Sequence, residues 1–116
     1  MKENIIKAKT FEFACKIIDL EEELIQRKKF VLSRQVCRSG LSIGANVREA
    51  QRAVSKPDFI NKLGIALKEA DETQYWFELI DLKVCKLDKE LKNDIEEIIK
   101  LLVAIINSSK KQKVLI

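Results

Sequence analysis

The sequence predicts an all-α protein, an up-down-up-down antiparallel four-helix bundle folded as one domain over residues 1–116. Three observations carry that expectation. The 116 residues include only three glycines and one proline, so few positions interrupt a helix. Leu, Ile, Lys and Glu dominate the composition. Apolar and small residues recur in alternating steps of four and three through four consecutive stretches, about 4–27, 33–54, 56–86 and 88–108. Long helices joined by short connections pack as antiparallel neighbours. A chain of this length builds one moderate core.

In the first stretch, Phe13, Ile17, Leu20 and Leu24 form one stripe and Phe11, Ala14, Ile18 and Ile25 lie beside it. A stripe this wide predicts a helix facing a bundle interior. Glu21, Glu22 and Glu23 read as a solvated acidic turn, and Arg27, Lys28 and Lys29 as cations at the helix C-terminus.

The second stretch opens at Ser33, a predicted N-cap. Val36, Gly40, Ile43, Val47, Ala50 and Val54 form its core face. At about 100° per residue, Arg34, Arg38, Arg48 and Arg52 share an arc of roughly 80° on the opposite side. Between the two faces runs a polar stripe of Gln35, Ser39, Ser42, Asn46 and Glu49. Two interior glycines, Gly40 and Gly44, each cost about 1 kcal/mol against alanine in a helix. Together with Ser39, Ser42 and Ala45 they predict the close approach of a neighbouring backbone.

Ser55-Lys56-Pro57-Asp58 marks the next helix start, with Ser55 as cap, Asp58 three residues on, and proline in the first turn. Phe59, Leu63, Ala66, Ala70, Thr73, Phe77, Ile80 and Val84 then form an unbroken seam. Ile65, Trp76 and Leu79 fall off that seam and predict a second apolar surface, one that another subunit would cover. The fourth helix opens at Asp88, with Leu91, Ile95, Ile98, Leu102 and Ile105 as its core stripe and Ile99, Val103 and Ile106 on its flanks. Lys110, Lys111, Gln112 and Lys113 read as a frayed basic tail.

The net charge of +4 hides a strong asymmetry: residues 27–56 carry +7 and residues 57–98 carry −5. All five arginines lie between Arg27 and Arg52. Such a cluster suits a polyanion or an acidic neighbouring subunit, and a solvated charged face is the plain alternative. Histidine is absent, which removes the commonest general base, the commonest zinc ligand and any Ser-His or Cys-His nucleophile pair. No phosphate-binding or dinucleotide-binding glycine loop occurs. No enzyme is expected, and no catalytic residue, cofactor or metal site. Three cysteines, Cys15, Cys37 and Cys85, form no C-x-x-C and read as free, core or near-core thiols. With no long apolar run, the expectation is a cytoplasmic protein with no membrane span.

Ser42-Ile43-x-x-Asn46-Val47-x-Glu49-Ala50, followed by Ser55-x-x-Asp58-Phe59-x-x-x-Leu63-x-Ile65-Ala66-x-x-Glu69-x-x-Glu72, resembles the bacterial four-helix-bundle family of 23S rRNA-intervening-sequence proteins. The family often carries Ala-Glu-Gly where this chain has Arg48, Glu49 and Ala50. That change makes the second helix more basic. The resemblance implies a cytoplasmic up-down bundle that assembles with itself, typically as a homopentameric ring. A related protein, the accessory subunit of diversity-generating retroelements, is a basic barrel that engages nucleic acid and a reverse transcriptase.

Two partner classes follow. Arg34, Arg38, Arg48 and Arg52, with Lys56 at their end, suit the phosphates of RNA or DNA, because a guanidinium can hold two oxygens at once. The alternative is a structural scaffold whose arginine face pairs with carboxylates of the neighbouring subunit. Ser42, Asn46 and Glu49, with Glu69 and Glu72 on the next helix, form a polar seam. It either lines a small pocket or fixes helix register or a subunit contact by hydrogen bonds.

Overall fold

Each of the four predicted stretches forms a helix, and side chains cap the starts of the third and fourth. The structure, a computed structural model, describes residues 2–114 and the side chains of residues 4–111. The helices are α1 (Lys2–Gln26), α2 (Phe30–Ala50), α3 (Lys56–Lys83) and α4 (Lys89–Val114).

At the start of α3 the Ser55 hydroxyl accepts from the Asp58 N–H at 3.2 Å, as a cap should. The Asp58 carboxylate in turn accepts from the Val54 N–H at 3.2 Å, one residue before the usual partner of a capping box. Asp88 caps α4, its carboxylate accepting from the Glu90 N–H at 3.1 Å.

Several boundaries differ from the sequence reading; the third helix, for one, ends at Lys83 rather than about 86. Ser33 is not the cap of α2; it lies one turn inside, buried, with its hydroxyl donating to the Glu21 carbonyl at 3.3 Å. The reason is the end of α1. There Lys28 N–H reaches the Ile25 carbonyl at 2.9 Å and Lys29 N–H reaches the Leu24 carbonyl at 2.9 Å, the paired bonds of a Schellman turn. This turn reverses the chain so tightly that α2 begins at Phe30. At the other end α2 stops at Ala50, so Val54 is 92% exposed rather than in the core. The basic tail does not fray at Ser108, since α4 runs to Val114; the Gln112 and Lys113 side chains lie outside the described residues.

The Schellman turn places Lys28 at φ 62°, where glycine is the usual occupant. A Cβ in that left-handed region costs about 1 kcal/mol. Lys28→Gly is therefore expected to stabilise the fold by roughly 0.5–1 kcal/mol, read as a raised urea midpoint at unchanged slope. A lowered midpoint would count against the strain.

Around the bundle each helix packs on its neighbours in sequence, and α1 closes against α4. The body measures 53 × 22 × 19 Å. Nearly all the predicted seams are buried: Phe13, Ile17, Leu20 and Leu24 from α1, Val36, Ile43 and Val47 from α2, Leu63 through Ile80 from α3, and Leu91 through Ile105 from α4. Phe13 and Phe77 meet across the centre with ring centroids 6.0 Å apart. Gly40 and Gly44 are where α2 comes closest to α1. A Cβ on Gly40 would stand 2.8 Å from Ile17, and one on Gly44 would stand 3.3 Å from the Thr10 carbonyl oxygen. These two glycines thus serve contact within the chain.

Ion pairs lace the seams. Lys9 pairs with Glu97 at 2.8 Å and Asp94 at 3.6 Å, and Lys16 pairs with Asp94 at 2.7 Å and with Glu90. Hydrogen bonds to Asp94 and Glu90 hold the Lys16 ammonium above its ordinary range. Lys92 pairs with Asp81 at 2.8 Å and holds that carboxyl below the usual carboxylate range. The same Asp81 accepts from the Leu87 N–H at 2.7 Å and so fastens the α3–α4 connection.

One expectation about α1 fails. Phe11, Ile18 and Ile25 are 59%, 45% and 45% exposed, so the flank of the wide stripe does not face the interior. In a four-helix square, two neighbours cover only about half of a helix's circumference, and this flank falls outside it.

Candidate functional site

The arginines of α2 follow from its helical phase, but the bundle divides them. Arg38 and Arg48 stand at opposite edges of the arc, about 80° apart, so they lean towards different neighbours. Arg38 leans towards α3, where its guanidinium pairs with Glu72 and lies 3.4 Å from a Glu69 oxygen. It also donates to Gln35 Oε1 at 3.3 Å. Glu72 accepts a further bond from the Trp76 indole at 3.2 Å. Arg48 leans towards α1, with its guanidinium 6.0 Å from the centroid of the Phe11 ring.

Arg34 and Arg52 lie on the outward line of α2 and are exposed. Neither side chain has an ion-pair or hydrogen-bond partner among the described residues. They are 18 residues apart, roughly 27 Å along a helix axis, although Arg52 sits in the turn just past the end of α2. The predicted cationic face is therefore two ends rather than one surface. At the α2–α3 end an open cleft of about 500 Å³ is lined by Arg48, Glu49, Arg52, Asp58 and Lys62. Lys62 also pairs with Glu49 at 3.1 Å. Lys56, half-buried, begins α3 beside it. Three cations against two carboxylates, with Asp58 engaged in capping, leave this cleft with surplus positive charge.

The predicted polar seam does not converge. Asn46 turns back on its own helix, donating to the Ser42 carbonyl at 2.9 Å and to Ser42 Oγ at 3.1 Å. Glu49 goes to Lys62, and Glu69 and Glu72 go to Arg38. The bond that does join α2 to α3 in the interior lies elsewhere. Thr73 Oγ1 is 2.8 Å from Ser39 Oγ and 2.8 Å from the Glu69 carbonyl oxygen. A hydroxyl has one proton, so Thr73 donates to the carbonyl and Ser39 donates to Thr73. Both residues are fully buried. The signal was present: Thr73 is the one polar residue on the α3 seam, and Ser39 belongs to the polar stripe of α2.

The thiols lie apart. Cys15 is exposed, against expectation, while Cys37 and Cys85 are half-buried. Burial, with Glu21 nearby, pushes the Cys37 thiol up to about 11, so it stays protonated at neutral pH.

Two outer surfaces are apolar. On the α1–α2 side, exposed Phe11, Ile18, Ile25 and Phe30 adjoin half-buried Leu41 and exposed Ala45. A depression of about 280 Å³ between Phe11, Ala14, Leu41 and Ala45 has Lys7 and Arg48 on its rim. On the outer side of α3, Ile65 is 37% exposed, Tyr75 55% and Leu82 77%, with Trp76 and Leu79 half-buried. The predicted second patch is thus present and larger than expected, although Trp76 is drawn into the Arg38–Glu72 group. Among the described residues, no helix is long and apolar enough to cross a membrane.

A family model described as 23S rRNA-intervening sequence protein matches residues 2–104. A crystal structure from Bacteroides thetaiotaomicron, described as a protein with unknown function from the S23 ribosomal protein family, is similar at 51% sequence identity. That match covers 92% of this chain and 99% of the other, with a TM-score of 0.86. No curated protein matches the chain.

Proposed function

The chain belongs to the 23S rRNA-intervening sequence protein family, and we propose that it is a non-enzymatic module that assembles with copies of itself and meets nucleic acid through the α2–α3 end. The observation that supports contact with nucleic acid is the cleft where Arg48, Arg52 and Lys62 come together at a free end of the bundle. Guanidinium groups at an open end of the bundle can reach a phosphate backbone without reading its bases. Few aromatic residues are available, so stacking on bases contributes little and binding is sequence-tolerant. The family description ties its members to an intervening sequence of 23S rRNA, which makes RNA the first polyanion to try. A ring of copies, pentameric by family resemblance, would gather several such ends and raise the local potential beyond that of one chain. The absence of histidine supports the non-enzymatic part of the reading.

The test is a salt titration of binding to a single-stranded RNA. Wild-type protein is expected to bind at low salt with a steep negative dependence on salt. Arg48→Gln with Arg52→Gln is expected to flatten the slope of log K against log salt by roughly one for each phosphate that the variant no longer neutralises, with helicity unchanged. Failure of the wild type to bind at low salt, or an unchanged slope in the double variant, would remove nucleic acid from the reading.

The scaffold alternative draws support from a different residue. Arg38 is engaged by Glu69 and Glu72 of its own chain, but the Arg34 side chain is exposed and not so engaged. This arginine suits a contact between copies.

A further inference from the structure

We propose that the α2–α3 end takes single-stranded nucleic acid, with one base stacked on Phe11 while Arg48, Arg52 and Lys62 hold the flanking phosphates. The proposal rests on the nucleic-acid reading above and adds the form of the strand and its one base contact.

The up-down topology gathers cations from every helix at one pole. Lys7 near the start of α1, Arg48 and Arg52 at the end of α2, Lys62 near the start of α3, and Lys110 and Lys111 near the end of α4 all lie there. Residues 4–13, 42–69 and 100–111, which form this half of the bundle, carry +1, +2 and +3. Residues 14–41 and 70–99, which form the other half, carry +2 and −5. A run of phosphates is drawn to the first pole.

Phosphate contacts by themselves do not select a single strand over a duplex. Phe11 supplies the distinction. It is 59% exposed, outside the core seam of α1, with the Arg48 guanidinium over its ring. Lys7 lies one turn earlier on the same side of α1. Two depressions, of about 280 and about 290 Å³, border Phe11, and Lys7 and Arg48 line both. No carboxylate lines either one, and small residues such as Ala8, Ala14, Gly44 and Ala45 keep the space beside the ring open. Arg48 also lines the cationic cleft with Arg52 and Lys62. The apolar ring and the cleft are therefore continuous through one side chain. Exposed Phe30 and Tyr75 lie in the other half of the bundle, away from these cations.

The arrangement matches the chemistry of a nucleotide, a flat ring joined to a phosphate. Every base has a face that can stack on an aromatic side chain, so this contact keeps binding tolerant of sequence. Bases inside a duplex are already stacked on one another, and the ones free to lie on a protein ring belong to unpaired strands, loops and ends. One ring at the pole gives one such contact and not a run of them.

The test compares wild type, Phe11→Ala and Phe11→Trp, in the full chain, on a single-stranded RNA and on its duplex across a salt series. Phe11→Ala is expected to weaken single-strand binding roughly five- to tenfold at each salt concentration, towards the lower end of what a stacked base contributes. The slope of log K against log salt is expected to stay that of wild type, because no phosphate contact is lost. Duplex binding is expected to be unchanged, and Phe11→Trp is expected to bind the single strand at least as tightly as wild type. Circular dichroism and light scattering of both variants are expected to match wild type. If Phe11→Ala weakens both RNA forms alike, weakens neither, or alters the mass of the protein in solution, Phe11 is not a stacking platform and the proposal is overturned. Those results leave the cationic cleft as a phosphate site. A wild type that binds neither RNA at low salt removes the nucleic-acid reading itself, and the stacking contact with it.

Discussion

Gly40→Val is expected to destabilise the fold by about 3 kcal/mol, at the upper end of what overpacking a core usually costs. The first added carbon alone would stand 2.8–3.0 Å from three Ile17 side-chain atoms, inside any normal contact. Two of those atoms sit on the branch point and cannot swing aside, because a β-branched side chain in a helix has one strongly preferred rotamer. Ile17 is fully buried, so it has no solvent to move into. The gain in helix propensity over glycine is below 1 kcal/mol and does not offset this. The check is urea unfolding of Gly40→Val, Ile17→Ala and the double variant. The double variant should lose clearly less than the sum of the singles, because shortening Ile17 vacates the space valine needs. Strict additivity would mean the two residues do not press on one another.

Thr73→Val is expected to cost about 1–3 kcal/mol although it changes volume hardly at all. It removes the hydroxyl that links Ser39 on α2 to the Glu69 carbonyl on α3, and it leaves Ser39 Oγ buried with its partner gone. Restoring the match should recover stability. Ser39→Ala in the Thr73→Val background removes the stranded hydroxyl and is expected to be milder than the single change suggests. Thermal denaturation of the four proteins gives the coupling directly; a Thr73→Val protein as stable as its parent would show that the bond contributes nothing.

Much of this architecture can be read from the chain because a heptad pattern is a local property. Leu63, Ala66, Ala70, Thr73, Phe77 and Ile80 specify a buried helix face whatever surrounds them, and Ser55 and Asp58 specify a start. What the chain does not reveal depends on neighbours. Ser33 has the chemistry of a cap, but the tightness of the turn at Lys28 moves the helix start three residues earlier. Phe11, Ile18 and Ile25 read as core because periodicity gives the angle of a residue and not how far the neighbouring helices reach around. The arginine face reads as one surface because the sequence gives phase around an axis. Whether Arg38 finds Glu69 and Glu72 on the next helix is decided by axial register, and no single helix contains that information. The Ser39–Thr73 bond is hidden for the same reason, although each residue is conspicuous alone.

The order in which the helices touch has a consequence for how the molecule comes together. Three of the four helix contacts join elements adjacent in the chain, across the turns at Lys28, Ser55 and Asp88, and only α1 on α4 joins distant parts. Closing short loops between neighbours carries a small entropic penalty, and each helical hairpin gains contacts before the whole chain is arranged. The topology therefore belongs to the low-contact-order class that folds fastest at a given stability. Its one long-range closure is the seam laced by Lys9, Lys16, Glu90, Asp94 and Glu97. Opposite charges attract over a longer reach than apolar side chains can touch, which suits ion pairs to drawing together the two most distant helices.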